Sequence, residues 1–425
     1  MLQRTTISFF GRTNAGKSSL VNALTAQDVS IVSDIKGTTT DPVKKVMELL
    51  PIGPVTIIDT PGLDDTSLLG EKRIARTHEV LSQTQIAVVV CDATRDDAFG
   101  QDEQSLVLAL KEKNIPYVIV FNKWDLQGGE SLAEGRAFAC ESIPAVLEAS
   151  KVCGGISAFE SASKAVGAEN VLKVSAAQNT GIFELKEKLG SLKGQLKTKP
   201  LVSDLVSRGD VVVLVIPIDE SAPKDRLILP QQMVLRELLE VMAVPVCAQV
   251  ENLAEVIKKL GSKPSLVITD SQAFQQVSRI VPEDVPLTSF SILMARFKGT
   301  LEYSLECTRA LESLNDGDKV LISEGCTHHR QCKDIGTVKM PAWVQNYTQK
   351  KLSFEFSSGG TFPSDLKEFK LVIHCGGCML NEMQMASRIE QCKEQGVPVT
   401  NYGMAIAYMN GILPRSLAPL GLSED

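Results

Sequence analysis

The sequence predicts an α/β fold in three consecutive domains, on two observations. Short apolar, β-branched runs alternate with stretches of helical spacing along nearly the whole chain, which is the signature of strand–helix–strand units. The alternation is broken by one short lysine-rich segment ending in proline, Ser191–Pro200, which reads as a linker. A chain of 425 residues is also too long for one core. The expected domains are residues 1–195, 200–280 and 281–425.

In the first domain Thr6–Phe10, Val55–Asp59, Ile86–Cys91, Tyr117–Asn122 and Val171–Val174 read as strands of a doubly wound sheet. The second is expected to be a small parallel α/β domain. Its strands are Val211–Ile216, Pro245–Val250 and Ser265–Thr269, with helices at Gln231–Met242 and Ala254–Leu260. It carries no catalytic motif, which by elimination suggests association. The third opens near Pro282, with strands Lys319–Ser323, Lys351–Phe356, Lys370–Ile373 and Val397–Thr400 and a helix over Asn381–Gln395. No internal repeat or low-complexity tract is visible.

Composition bounds the function. Apolar residues make up 44% and charged residues 22%, ordinary globular values. A net charge of −7 leaves no global basic footprint, so no nucleic-acid partner is expected. No run of 18 apolar residues occurs, and Met1–Phe10 leads straight into a strand without a signal or transit segment. The expectation is a soluble, cytoplasmic protein with no membrane partner.

Gly11-Arg12-Thr13-Asn14-Ala15-Gly16-Lys17-Ser18 fits G-x-x-x-x-G-K-S between a strand and a helix that runs over Ser19–Thr25. Gly11 and Gly16 let backbone N–H groups face phosphate oxygens, and the helix N-terminus adds its positive end. Lys17 is placed to reach the β- and γ-phosphates, and the Ser18 hydroxyl to bind Mg²⁺. Asn14, Gly16, Ser18 and Ser19 complete the loop's nucleotide contacts. Asp59-Thr60-Pro61-Gly62 ends a strand, where Asp59 can hold Mg²⁺ through water; Lys17, Asp59 and Gly62 are the expected catalytic residues here. Asn122-Lys123-Trp124-Asp125 ends a later strand. There Asp125 can accept both the ring N–H and the amino group of guanine, a charge-assisted pair that adenine cannot form. Ser175-Ala176-Ala177 would offer backbone N–H groups to the guanine oxygen.

These motifs, in this order, resemble the translation-factor-related GTPases, specifically the branch with tRNA-modification and ribosome-assembly members. The resemblance makes Thr39, within Gly37-Thr38-Thr39-Thr40-Asp41, the switch threonine that closes on Mg²⁺ and the γ-phosphate. Leu63 stands where a water-orienting glutamine is placed in Ras-like proteins, so intrinsic hydrolysis is expected to be slow. Asp64, Asp65 and Glu71 are the nearby carboxylates. Asn14 stands at a position resembling that of potassium-dependent GTPases, where K⁺ supplies charge in place of an arginine finger; the plainer reading is a turn cap.

Ten cysteines in such a chain are not expected to form disulfides. Cys91, Cys140, Cys153, Cys247 and Cys307 are scattered and read as core or surface thiols. Cys326, Cys332, Cys375, Cys378 and Cys392 crowd the last hundred residues, as do three of the four histidines, His328, His329 and His374. Cys326-Thr327-His328 and His374-Cys375-Gly376-Gly377-Cys378 each follow an apolar strand. In parallel sheets those strand ends share one crevice. The helix after the C-x-x-C is expected to lower both thiol pKa values. Three thiolates plus one weaker ligand, His328 or His374, suit either a [4Fe–4S] cluster with an exchangeable iron or a closed Cys₃His zinc; Cys332 is a further thiol.

The combined pattern, a G domain and then Cys-x-His and His-Cys-x-x-Cys, resembles the [FeFe]-hydrogenase maturation GTPases, the HydF family. The resemblance covers the whole chain, including Pro217-Ile218-Asp219-Glu220-Ser221-Ala222-Pro223-Lys224, Phe290-Ser291-Ile292-Leu293 and Ala295-Arg296. It implies that Cys326, Cys375 and Cys378 bind a [4Fe–4S] cluster, with His328 or His374 close by. It implies that the site assembles or carries a transient diiron subcluster precursor whose ligands come from two radical S-adenosylmethionine maturases. The product is then handed to apo-[FeFe]-hydrogenase. A dimerising middle domain, hence a homodimer, and GTP hydrolysis that gates partner exchange are also implied. Two readings compete: an RNA-modification or ribosome-assembly GTPase with a structural Cys/His zinc, and a plain switch with incidental cysteines. Against the first, residues 281–425 hold 14 Lys+Arg and 17 Asp+Glu, a balance of −3 with no phosphate-binding stripe.

Overall fold

The computed structural model describes residues 4–25, 33–35, 43–60, 79–127, 154–196, 199–218, 227–325, 334–360 and 362–423. The chain divides into two compact units, residues 3–197 and residues 198–425 with 1–2. The segment expected as a linker is half helix, because Leu189 and Leu192 are buried and carry α4 (Ile182–Gln195) through its first residues.

The first unit holds, among the described residues, a seven-stranded sheet in the order β2-β3-β4-β1-β5-β6-β7. The parallel core is β4 (Gly53–Asp59), β1 (Thr5–Phe10), β5 (Ile86–Asp92), β6 (Tyr117–Asn122) and β7 (Val171–Lys173). Every residue of β1 is buried, as expected for a strand covered on both faces. Among the described residues, helices α1 (Lys17–Thr25), α2 (Gln101–Glu112) and α3 (Gly154–Val166) accompany the sheet with α4. Leu20, Leu24, Leu185 and Leu189 share a core with Ile7, Val88 and Val120. The strands absent from the sequence reading are β2 (Ser33–Ile35) and β3 (Val43–Leu49), which add antiparallel to the edge. β3 escapes an apolar-run search because only one face is covered: Met47 and Leu49 are buried, whereas Glu48 is exposed.

Among the described residues the second unit holds two four-stranded sheets, each fully parallel. One runs β11-β10-β8-β9, with β8 (Val211–Val215), β9 (Val244–Ala248), β10 (Leu266–Thr269) and β11 (Leu287–Ser289). The other runs β13-β12-β14-β15, with β12 (Lys319–Glu324), β13 (Ser353–Ser358), β14 (Phe369–His374) and β15 (Val399–Asn401). Counted within its own sheet, each takes the order second, first, third, fourth. The residues show no repeat, yet the topology repeats. In both sheets the fourth strand ends in a side chain that caps the next helix. Ser289 Oγ accepts from Ile292 N at 3.2 Å and starts α8 (Phe290–Phe297); Asn401 Oδ1 accepts from Met404 N at 2.7 Å and starts α12 (Tyr402–Met409). The two helices meet where side chains are small: a Cβ on Gly403 would stand 2.7 Å from Ser291 Cβ.

The expected boundary at residue 280 falls inside this architecture. β11 lies beyond it yet pairs with β10. Met404 and Ala407 of α12, with Leu413 and Leu417 of α13 (Leu413–Leu417), pack on Val213, Val215 and Val267 of the first of these sheets. The chain's end therefore returns to the middle segment, and residues from 198 onward form one unit. Among the described residues no helix is long and apolar enough to cross a membrane.

Candidate functional site

The phosphate loop joins β1 to α1. Its two outer glycines are fixed by space as well as by backbone angle. A Cβ on Gly11 (φ +151°) would meet Val90 O at 2.2 Å, and one on Gly16 (φ +88°) would meet Asn122 Nδ2 at 2.2 Å. Asn14 adopts φ 63° and is exposed at the loop surface, as are Ser18 and Ser19. Lys17 is buried, its ammonium donating to Gly11 O at 2.9 Å and Arg12 O at 2.8 Å. The cation is thus held against its own loop, where a phosphate can replace the carbonyls.

Ser18 Oγ donates to Asp59 Oδ2 at 2.5 Å. The second carboxylate oxygen, Asp59 Oδ1, is buried without a hydrogen-bond partner among the described residues. Leaving such an acceptor unsatisfied costs about 1–3 kcal/mol, which a hard cation or its water would relieve. The hydroxyl, the carboxylate and the orphaned oxygen fit Mg²⁺.

Asn122 does more than the motif suggests. Its Nδ2 donates to Ala15 O at 3.0 Å and its Oδ1 accepts from Ala176 N at 3.1 Å, so one side chain ties the phosphate loop to the Ser175-Ala176 loop. Ser175 is fully buried, its Oγ accepting from Gln178 N at 3.1 Å. Lys123 takes a left-handed backbone and donates to Asp92 Oδ2 at 2.6 Å. Burial pushes the Asp92 carboxyl up, but hydrogen bonds from Lys123 and Thr94 outweigh it and hold the group below its usual range. Asp125 stands exposed on the turn Trp124–Leu126. That turn is braced by Trp124 N donating to Val174 O at 3.1 Å, by Phe159 with its ring centroid 5.5 Å from Trp124's, and by Lys173 Nζ 4.5 Å over the indole. The motif did not single out Arg12. It binds Asp97 Oδ2 at 2.5 Å and Glu103 Oε2 at 3.1 Å and so anchors the loop to the start of α2. Thr39, Gly62, Leu63, Asp64, Asp65 and Glu71 lie outside the described residues.

The cysteine site forms at the ends of β12 and β14, which are neighbours. The chain leaves β12 for β13 on one side and β14 for β15 on the other. The crevice between them is therefore the topological switch point where open parallel sheets bind ligands. Cys375 Sγ accepts from Gly325 N at 3.0 Å and from Gly377 N at 3.4 Å, and Cys375 N donates to Ser323 O at 2.9 Å. Two glycines permit this closeness: a Cβ on Gly325 would stand 3.4 Å from Gly377 Cα, and one on Gly377 (φ +63°) would stand 2.6 Å from Met385 Sδ. The helix α11 (Glu382–Glu394) follows, opened by Asn381 and Gln384 as a reciprocal cap. Contrary to the expected lowering by the helix, burial pushes the Cys378 thiol up, and nearby Lys298 only partly offsets it. Cys326 and His328, with His329 and Cys332, lie outside the described residues, Gly325 being the last described residue before them. Two N–H groups on one sulfur, half-buried thiols at a switch point and glycines in both loops fit a thiolate-held cluster or metal.

Of the two histidines expected close to the cluster, His328 or His374, the second has both ring nitrogens engaged. The ring is 2% exposed, with Nδ1 2.7 Å from Cys375 O and Nε2 2.8 Å from Arg388 Nη1. Arginine can only donate, so Nε2 accepts and Nδ1–H donates to the carbonyl. Burial, and then Arg388, hold the imidazole pKa at about 3. Both nitrogens are spent, and the ring is a post under the Cys375 backbone. Its side-chain direction, set by the strand alternation of β14, was not readable from proximity in the sequence.

Three family models match the chain in succession. Residues 6–123 match the model described as 50S ribosome-binding GTPase. Residues 201–299 match the hydrogen maturase F dimerization domain, and residues 302–419 the hydrogen maturase F tetramerization domain. Among curated proteins, GTPase Der of Sulfurimonas denitrificans is 38% identical over 123 residues, 28% of this chain and 24% of that protein. GTPase Der of Mycoplasmopsis pulmonis is 38% identical over 124 residues, 28% of each. The chain thus spans about a quarter of the length of the curated relatives it matches. Among solved structures, the G domain of the T. maritima FeoB iron transporter is 20% identical, covering 45% of this chain and 99% of that one at a TM-score of 0.30. The FeoB G domain from Methanococcus jannaschii is 22% identical, covering 46% and 100% at 0.29. Two of the three matching models are hydrogen maturase F domains, they follow one another in order and together span just over half of the sequence: the chain belongs to the hydrogen maturase F (HydF) family.

Proposed function

We propose that this chain is a GTP-hydrolysing scaffold that holds a [4Fe–4S] cluster on Cys326, Cys375 and Cys378. In this reading it carries the diiron subcluster precursor of [FeFe]-hydrogenase to the apo-enzyme, receiving the precursor's ligands from two radical S-adenosylmethionine maturases. The observation that carries the reading is the Cys375 sulfur at the β12/β14 switch point, accepting from Gly325 N at 3.0 Å beside the segment that bears Cys326. Such N–H···S bonds stabilise a thiolate that carries iron. The bound cluster would supply an iron with a site open to exchange. His374 holds the loop, which leaves His328 as the candidate histidine ligand. The test is iron, sulfide and zinc analysis of anaerobically prepared protein, with EPR. About four irons with labile sulfide support the reading. One tight zinc and no sulfide turn it over in favour of an RNA-acting GTPase with a structural zinc. The matches to the 50S ribosome-binding GTPase model and to GTPase Der cover only the first domain, which both readings share.

At the nucleotide site Lys17 would meet the β- and γ-phosphates. Ser18, Thr39 and Asp59 would hold Mg²⁺ directly or through water, and Asp125 would read guanine. Gly62 would bring a backbone N–H to the γ-phosphate. Slow, potassium-stimulated hydrolysis follows from Leu63 and from Asn14, whose exposure at the loop surface suits a K⁺ ligand. GTP turnover is expected to be at least about tenfold faster in KCl than in NaCl, the worth of ~1.4 kcal/mol at the transition state; equal rates remove K⁺ from the scheme. Self-association as a homodimer is supported by the dimerization-domain match and by the exposed edge strand β9. Val244 there is 48% exposed, with Leu239 and Met242 at 55% and 60% nearby. A cytoplasmic location completes the proposal.

A further inference from the structure

We propose that Lys298 and Arg388, two buried cations beside the two cysteines of the C-x-x-C loop, are fixed counter-charges for the cluster and raise its reduction potential. The inference rests on the cluster reading above.

Buried charges in proteins are ordinarily paired. Among the described residues, neither of these has a carboxylate within ion-pair distance. Arg388 is 7% exposed, and all its partners are neutral: His374 Nε2 at 2.8 Å, Ser323 Oγ at 3.3 Å and Gly359 O at 2.6 Å, with the Phe362 ring 4.9 Å away. His374 in turn reaches Cys375 O at 2.7 Å, which sets the guanidinium one imidazole away from the Cys375 backbone. Lys298 is 5% exposed and caps the C-terminus of α8, and among the described residues no carboxylate lies within ion-pair distance of its ammonium. The cysteine loop leans on this same helix. A Cβ on Gly376 would stand 3.8 Å from Met294 Cβ, and Cys378 packs against the core that contains Met294 and Phe297. The charged groups that face Lys298 are Glu382 and Cys378; burial brings its pKa down to about 8, and these two oppose that shift.

The missing anion is supplied by the cluster. A [4Fe–4S] core held by three thiolates is already negative, and one-electron reduction adds a further charge. In a low-dielectric site a fixed cation favours the more negative state. The electron changes only the cluster's charge, and no bond is made or broken at Lys298 or Arg388. Lys298 lies in the segment that matches the dimerization domain, whereas both cysteines lie in the tetramerization domain. The site therefore needs both, and they cannot be treated as separate modules.

The experiment is a dithionite titration of the anaerobic full-length protein, followed by EPR, on wild type, Lys298→Met, Lys298→Arg and Glu382→Gln. Arg388 is left unchanged because its loss would also release His374 and Gly359. Lys298→Met should keep its iron and sulfide, with a reduction equilibrium about tenfold less favourable, a fall of about 59 mV for a one-electron couple. Lys298→Arg should restore the wild-type potential. Glu382→Gln removes the anion facing Lys298 and should move the potential upward; opposite signs would not arise from a merely structural role. An unchanged potential in Lys298→Met with its cluster intact overturns the inference alone. Should Lys298→Met not fold, an unchanged or lowered potential in Glu382→Gln overturns it. Wild type without iron and sulfide overturns the cluster reading, and this inference with it.

Discussion

Cys375→Ser is expected to give a folded protein that lacks the proposed [4Fe–4S] cluster and still hydrolyses GTP. Serine is nearly the same size, and its Oγ can accept the N–H groups of Gly325 and Gly377 that the sulfur accepts now. The loop should therefore hold its shape. What is lost is the thiolate, because an alcohol stays protonated at neutral pH and binds iron poorly. Removing an outer-shell partner of a metal typically costs 10–100-fold in affinity, and removing a direct ligand should cost more. Iron and sulfide should fall to background, and the EPR signal of the reduced cluster should vanish. Cys392→Ser is the matched control. Cys392 is fully buried among Leu321, Phe369 and Val372, and burial, with Cys307 adding, pushes its pKa up to about 12. Such a thiol is part of the core, so this variant should lose some stability and keep its cluster. Retention of full iron by Cys375→Ser would remove that residue from the ligand set.

Asp125→Asn is expected to weaken GTP binding by about 100-fold, the loss of a charge-assisted bidentate pair of roughly 2–3 kcal/mol. It should strengthen binding of xanthosine triphosphate. Guanine offers two donors on this edge, the ring N–H and the amino group, and a carboxylate accepts both. Xanthine keeps the ring N–H but carries a carbonyl in place of the amino group. An asparagine can accept from the first and donate to the second. The turn that presents Asp125 is held by Val174 O, Phe159 and Lys173, none of which the substitution touches. Competition between fluorescent and unlabelled nucleotides measures both affinities. If GTP weakens and xanthosine triphosphate gains nothing, then Asp125 supports the loop without reading the base.

The two sites were legible to different depths, for physical reasons. The nucleotide motifs are short and contiguous, and each sits at a strand end, so spacing alone proposes Lys17, Asp59, Asn122 and Asp125. Arg12 was missed because its partners, Asp97 and Glu103, are distant in sequence and belong to no motif. The edge strands β2 and β3 were missed because a strand covered on one face has no continuous apolar run. Proximity in the sequence made His374 look like a ligand, whereas its direction across β14 turns it to Arg388. The cut at residue 280 followed the apparent end of one alternating block, yet β11, α12 and α13 carry the chain back over it.

Residue chemistry and local periodicity suffice to name the G-domain motifs, the cysteine loops and most parallel strands, because each depends on neighbours within a few positions. Three things depend on long-range packing. β12 and β14 are adjacent, which makes the cysteine loops face a switch point. His374 and Arg388 back the Cys375 loop from within. Lys298, at the end of a helix in the segment that matches the dimerization domain, is buried beside Cys378, with no carboxylate within ion-pair distance among the described residues. A buried charge can be recognised only once the fold has decided what is buried, so no reading of the residues in order could have placed it at the site.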